Sequence, residues 1–321
     1  MARFFRKILI LFLLCSLSFQ LSGCGNMTSG RDGRLKVVST IFASYDFARQ
    51  IGGTVADITM LLKPGVESHS YEPSPKDIVT IQECDIFIYT GGENDAWVDS
   101  ILETMDTTHM TIIKMMDLVD TYEEETVEGM EIHEHTEDDE HEHDHEELDE
   151  HVWTSPVNAI TICEAITKAF IDADSDNGDV YEANSKAYIK ELKKLDETFR
   201  KIVGTSDRRV VVFGDRFPLR YFVEEYNLEY YAAFPGCSSE TEASAATIAF
   251  LIDKVKEEEI PVVFKIELSS DSMANTIAED SGAKVLTFNT CHNITSEEFE
   301  NGENYLTLMY KNANALKEAV Q

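Results

Sequence analysis

Residues 58–89 read ITMLLKPGVESHSYEPSPKDIVTIQECDIFIY, and this stretch decides the fold. Its ends, 58–62 and 85–89, are short apolar runs of strand length. Between them, Ser74-Pro75-Lys76-Asp77 starts a helix. The serine hydroxyl can take a first-turn N–H that has no partner within the helix. Proline fits the first helical position because it lacks that N–H, and aspartate suits the positive end of the helix. Strand, helix and strand in this order predict a parallel pair joined by a crossover.

The same alternation continues on both sides. Residues 35–41 and 111–113 read as strands and 95–105 as a helix. Ser155-Pro156 opens a helical pattern over 156–172. A longer pattern follows, with Tyr181, Tyr188, Leu192, Leu195, Phe199 and Ile202 at steps of 7, 4, 3, 4 and 3, a single apolar stripe on one helix. A second series then has strands at 209–213, 228–233, 261–266 and 283–288. Helices cover 247–255 and 273–278, and a final helix covers 297–320. The expected fold class is α/β: two parallel-sheet (βα)4-like lobes joined by one long rigid helix. The expected divisions are 1–23 for a signal peptide, 24–34 for a tether and 35–175 for the N-terminal lobe. The connecting helix takes 176–204 and the C-terminal lobe 205–321.

The chain has 321 residues, 43% of them hydrophobic, so it can bury a sizeable core. It carries 27 Lys and Arg against 60 Asp and Glu, a formal charge of −33. Such a surface repels phosphate, which excludes a general nucleic-acid binder and points to cations or basic partners. At the N-terminus Arg3, Arg6 and Lys7 precede an apolar run that ends at Leu21-Ser22-Gly23-Cys24. That order reads as a secretory signal, and its end resembles a bacterial lipobox in which Cys24 becomes the lipidated first residue. An extracytoplasmic, lipid-anchored protein follows. Of the other cysteines, Cys15 leaves with the signal, and Cys84 and Cys163 sit in core-like runs. Cys237 and Cys291 both follow strands, which leaves a disulfide between them open.

One segment breaks the apolar pattern. From Asp120 to Glu150 there are 17 acidic residues and five histidines (His133, His135, His141, His143 and His145), and no Lys or Arg. Like charges at this density repel, so 120–150 reads as a solvated loop inside the first lobe. Acid alone would serve for solubility. Histidine alternating with carboxylate adds the donors that zinc prefers, so the loop reads as a metal-capturing segment.

In parallel α/β sheets ligands bind beyond the carboxyl ends of the strands. The polar residues expected there are His69, His151, Asp215, Glu267 and His292, the last within Asn289-Thr290-Cys291-His292-Asn293. His109 lies in a polar turn and reads as an ordinary surface residue. The runs PGVESHSYEPSPKDI, TGGENDAW and DEHVWTSP resemble the zinc- and manganese-uptake solute-binding lipoproteins of ABC transporters. The resemblance covers essentially the whole mature chain, including LTFNTCHNITSEEFENGENYLTLMYKNANALKEA near its end. It implies His69 and His151 as two metal ligands, and His292 where members carry a carboxylate ligand. It also implies a permease and an ATPase as partners of a monomeric receptor.

The chain departs from that family at one ligand. Members have His or Glu just after the first strand of the second lobe, and this sequence has FGDRFPLRYF. Asp215 is the nearest side chain able to bind metal, and Arg216 reads as a surface or ion-pair residue. Glu242, Cys237 and Cys291 are alternative approaches to the cleft, and Glu267 reads as an acceptor that orients a ligand histidine. Three imidazoles and a carboxylate favour Zn2+ over Mn2+. The expected function is capture of zinc between two lobes, with no reaction catalysed. Two rivals are a zinc hydrolase, for which Glu67 is the one plausible base, and an extracellular metal-buffering adhesin.

Overall fold

The helix start at Ser74 forms as its residues dictate. Asp77 N–H donates to Ser74 Oγ at 3.3 Å, and Ser74 N–H donates back to Asp77 Oδ2 at 2.9 Å, so two helix-end donors are satisfied reciprocally. The structure is a computed structural model, and it describes residues 33–67, 71–131, 148–238 and 242–321. The signal and tether residues, including Cys15 and Cys24, lie outside the described residues. So do His69 and the loop histidines His133, His135, His141, His143 and His145.

The first lobe runs β1 (Leu35–Ser39), α1 (Phe42–Gly52), β2 (Ala56–Met60), α2 (Pro75–Gln82), β3 (Ile86–Tyr89), α3 (Ala96–Leu102) and β4 (Thr111–Lys114). Then come α4 (Pro156–Ala173) and the 27-residue α5 (Gly178–Gly204). The second lobe is β5 (Val210–Phe217), α6 (Arg220–Tyr226), β6 (Glu229–Pro235), α7 (Ala245–Glu257), β7 (Val262–Ile266), α8 (Ser272–Ser281) and β8 (Lys284–Phe288). Helices α9 (Ser296–Glu300) and α10 (Tyr305–Val320) close the chain. Both sheets are parallel and four-stranded, in orders β2-β1-β3-β4 and β6-β5-β7-β8. Each therefore reverses direction beside its first strand, between β1 and β3 and between β5 and β7. Those reversals open the crevices where ligands of doubly wound sheets bind.

Alternation within the strands divides the core. Val37, Ile86 and Ile88 face one cluster, and Val38, Phe87 and Tyr89 face a smaller one beneath α2 and α3. The larger cluster does not stop at the lobe boundary. It continues through Tyr181, Leu192 and Phe199 of α5 into Phe213, Phe264 and Phe288 of the second sheet. The stripe expected on α5 is buried, and it forms the common wall of both lobes.

Four details depart from the sequence reading. Strand β5 runs on through Gly214, Asp215 and Arg216 to Phe217, with a register shift against β6 between Phe213 and Arg216. Glycine at 214 is required by close approach, since a Cβ there would meet Ala274 Cα at 2.8 Å. The final helix is two helices, broken where Gly302 takes φ +78° and restarted by an Asn304–Thr307 capping box. Helix α1 has no side-chain cap at Ile41 and so lacked a start signal. The fourth is the near part of the acidic segment, which is docked rather than solvated: Met130 is buried, Glu131 N–H donates to Ala233 O at 3.0 Å, and Thr247 Oγ–H donates to Glu131 Oε2. Met130 and the partly buried Val127 supply apolar anchors that charge density alone concealed.

Candidate metal centre

His151 stands one residue before a short 3-10 turn, Val152–Thr154, that leads into α4. Ser155 caps that helix by accepting from Val157 and Asn158 N–H. The imidazole is fully buried. Asp149 Oδ1 accepts the His151 backbone N–H at 2.8 Å and lies 3.1 Å from Nδ1. A carboxylate only accepts, so the ring proton belongs on Nδ1, and Nε2 carries the lone pair a metal needs. Burial pulls the His151 pKa down, but Asp149, with Glu150 and Glu124 nearby, outweighs it and the net direction is up. Asp149 is held in turn by Tyr221 Oη–H, which donates to its carbonyl at 2.6 Å from the second lobe.

His292 comes from the other lobe, on the turn after β8. The His151 and His292 rings meet edge to face, with centroids 5.6 Å apart and planes at 76°. Trp153 stands beside both, at 5.4 and 5.0 Å, and its Nε1–H donates to Thr290 O at 2.9 Å. The turn is fixed from several directions. Glu267 accepts Thr290 N–H and Thr290 Oγ–H, each at 2.6 Å. Asn312 takes Asn289 N–H at 2.7 Å and returns its own Nδ2–H to Asn289 O. These bonds hold Cys291 at φ +60°, a conformation that costs a non-glycine residue about 1–3 kcal/mol and persists only where neighbours over-determine it. Burial raises the Glu267 pKa against the pull of its Thr290 donors. Glu267 thus holds the backbone of the His292 turn, not an imidazole nitrogen.

Asp215 lies inside β5, not beyond its end. Its Oδ1 accepts Arg216 N–H at 2.8 Å, and its Oδ2 accepts Ile266 N–H at 3.0 Å and the Ser269 hydroxyl. It therefore stitches β5 to the end of β7, and burial raises its pKa against those donors. Arg216 is buried rather than at the surface, with both terminal nitrogens 3.3 Å from Glu67 Oε1 of the first lobe. Asp215, Arg216, Glu67 and the exposed Glu242 line a cavity of about 480 Å3. A second cavity, of about 20 Å3, is lined by Glu67, Arg216, Glu267, Thr290, His292 and Asn293.

The cysteines at 84, 163, 237 and 291 are free thiols, so no disulfide joins Cys237 to Cys291. Cys291 is buried in the main core. Cys237 approaches the His151 side, where its N–H donates to Glu124 Oε1 at 2.7 Å. Burial pushes the Cys237 thiol and the Glu124 carboxyl upward, with Asp149 close to both. Glu124 was lost in the sequence among the charges of the acidic segment. His109 is exposed, with Nε2 3.0 Å from Gln82 O. Among the described residues no three His, Cys, Asp or Glu side chains are grouped to hold a metal ion, and no helix is long and apolar enough to cross a membrane.

Comparison with known proteins places this geometry. A family profile described as zinc-uptake complex component A, periplasmic (ZnuA), matches residues 37–319. The zinc-binding lipoprotein AdcA of Streptococcus pneumoniae (strain ATCC BAA-255 / R6) is 34% identical over 313 residues, 97% of this chain and 60% of that protein. The chain thus spans 60% of the length of that relative. The high-affinity zinc uptake system protein ZnuA of Bacillus subtilis (strain 168) is 33% identical over 321 residues, 98% of each chain. The crystal structure of the Zn(II)-bound ZnuA-like domain of S. pneumoniae AdcA superposes with a TM-score of 0.73 at 30% identity, covering 90% of this chain and 99% of that one. The metal-dependent lipoprotein YcdH from B. subtilis gives 0.75 at 31% identity, covering 89% and 99%. With two parallel lobes meeting at paired histidines and a profile match along nearly its whole described length, the chain belongs to the ZnuA family.

Proposed function

We propose that this chain is the extracytoplasmic zinc-binding component of an ABC transporter, tethered through lipid on Cys24 and delivering its cargo to a permease driven by an ATPase. One observation carries the reading: His151 and His292, one from each lobe, meet edge to face at 5.6 Å, and a carboxylate at Nδ1 of His151 leaves Nε2 for a metal. His69 is the third imidazole of the proposal. Asp215, the carboxylate expected from the sequence, is committed to Arg216, Ile266 and Ser269 and lines the larger cavity, not the one beside His292, so the proposed donor set is the three imidazoles. Such a donor set suits four-coordinate zinc better than manganese. The loop histidines serve as weaker capture sites that raise the local zinc concentration.

Hydrolysis is the weaker reading. Glu67, the base it would need, is engaged by the Arg216 guanidinium in an ion pair. The test is calorimetric titration of the mature chain with zinc. One tight site is expected, and His151→Ala or His292→Ala should each weaken it by at least about 100-fold while the fold is kept. Unchanged affinity in either variant would remove that residue from the site.

A further inference from the structure

The loop that leaves β2 does not stay with its own lobe. Residues 63–67 cross to the C-terminal lobe and lie along 293–296. Gly65 N–H donates to Ile294 O at 2.8 Å, and Ser296 Oγ–H donates to Pro64 O at 3.1 Å. Gly65 takes φ +81°, and a Cβ there would press Ser296 Oγ at 3.0 Å. The centre of this contact is one amide. Asn293 Nδ2 donates to Lys63 O at 2.9 Å and to Val66 O at 2.6 Å, and Asn293 Oδ1 accepts Ile294 N–H at 2.8 Å. Asn293 is 3% exposed, so the donor end of these hydrogen bonds is buried, while Lys63 and Val66 are themselves exposed. The next residue along the loop, Glu67, reaches Arg216 and lines the small cavity that His292 and Asn293 also line.

The chemistry at 293 is specific. Two N–H groups on one nitrogen are both needed to bind two carbonyls of the same loop, while the oxygen turns back to fix the His292 turn. Aspartate has the same shape but no donor, and would set a carboxylate against two carbonyl oxygens. Alanine leaves both carbonyls without their partner.

We propose that Asn293 is a positioning residue: it clamps the 63–67 loop over the cavity beside His292, and so sets how fast bound zinc leaves. The inference rests on the zinc-receptor reading and adds a kinetic role to it. Capture is driven by the chain's negative field. Release requires the loop to lift, so the clamp acts on dissociation and leaves association alone.

The experiment is stopped-flow zinc release into excess chelator, with zinc association measured separately, on the full mature chain and its Asn293→Ala and Asn293→Asp variants. Release should accelerate on the order of tenfold in Asn293→Ala and further in Asn293→Asp, with association within about twofold. Apo-protein melting and the Co(II) spectrum report fold and donor set, and the spectrum should not move. Release at the wild-type rate in both variants, with His292→Ala still weakening binding, overturns the clamp and leaves the zinc site standing. A wild-type chain that fails to hold zinc overturns both. Hydrogen exchange on the wild-type protein tests the clamp without any variant: Gly65 N–H should be protected in the zinc-loaded form, and exchange at the rate of an open loop would overturn it.

Discussion

Two buried carboxylates stand behind the two paired histidines, and they act on different atoms. In the first lobe Asp149 reaches the imidazole itself, at 3.1 Å from Nδ1. In the second lobe Glu267 reaches only backbone and a threonine hydroxyl, through Thr290 at 2.6 Å. The first arrangement sets tautomer and basicity as well as position. The second sets position alone. In the proposed site one half is thus tuned electronically and the other half held mechanically.

Asp149→Asn is the sharper way to break that contrast. It removes the negative charge beside Nδ1 and leaves a neutral amide that can turn either its oxygen or its N–H toward the ring, and zinc affinity should fall about 10–100-fold, the range for groups that orient metal-ligating histidines. Titration of zinc against a competing chelator measures it, and a fall smaller than that of Glu267→Gln would reverse the assignment. Glu267→Gln keeps one acceptor for Thr290 and removes no charge from an imidazole. Its effect should be a few-fold at most, with the loss appearing as greater mobility of 289–293 in hydrogen exchange.

The smallest expected effect concerns a third buried carboxylate, one that serves only the scaffold. Asp95 accepts Thr90 N–H at 2.7 Å and Gly91 N–H at 3.2 Å, yet burial raises its pKa from 3.8 to about 7. A carboxyl that holds its proton longer in the folded state contributes stability that is fully present below 3.8 and is lost as pH rises through about 7. Asp95→Asn should therefore flatten the decline of apo-protein stability between those pH values. Denaturant melts at several pH values check it, and an unchanged slope would mean that Asp95 is ionised in the fold.

What was legible in the sequence follows the range of the forces involved. Ser74-Pro75-Lys76-Asp77 forms its cap from residues within one turn, so the sequence contains the whole interaction. The α5 stripe from Tyr181 to Ile202 was legible because helical periodicity and burial coincide. Gly214-Asp215 looked like the end of a strand because glycine and aspartate favour turns. The strand continues because Ala274 packs against that glycine, a contact across 60 residues of chain. His292 was visible as a polar residue after an apolar run. Asn293, Glu124 and the burial of Arg216 were not, since each takes its meaning from the opposite lobe. The acidic segment misled for a related reason: its near end is anchored by Val127 and Met130, few enough to be hidden by charge.

The core that passes through α5 has a consequence for how this protein can be divided. Its two sheets look like interchangeable modules, with matching strand orders. The apolar cluster beneath them is nevertheless continuous from Val37 to Phe288. Cutting the chain between the lobes would leave each half with a bare oily flank and no partner for it. The lobes are separate in topology and joined in energetics. They should form and come apart as one cooperative body, and recombination between relatives would succeed at surface loops and fail at the boundary the eye picks first.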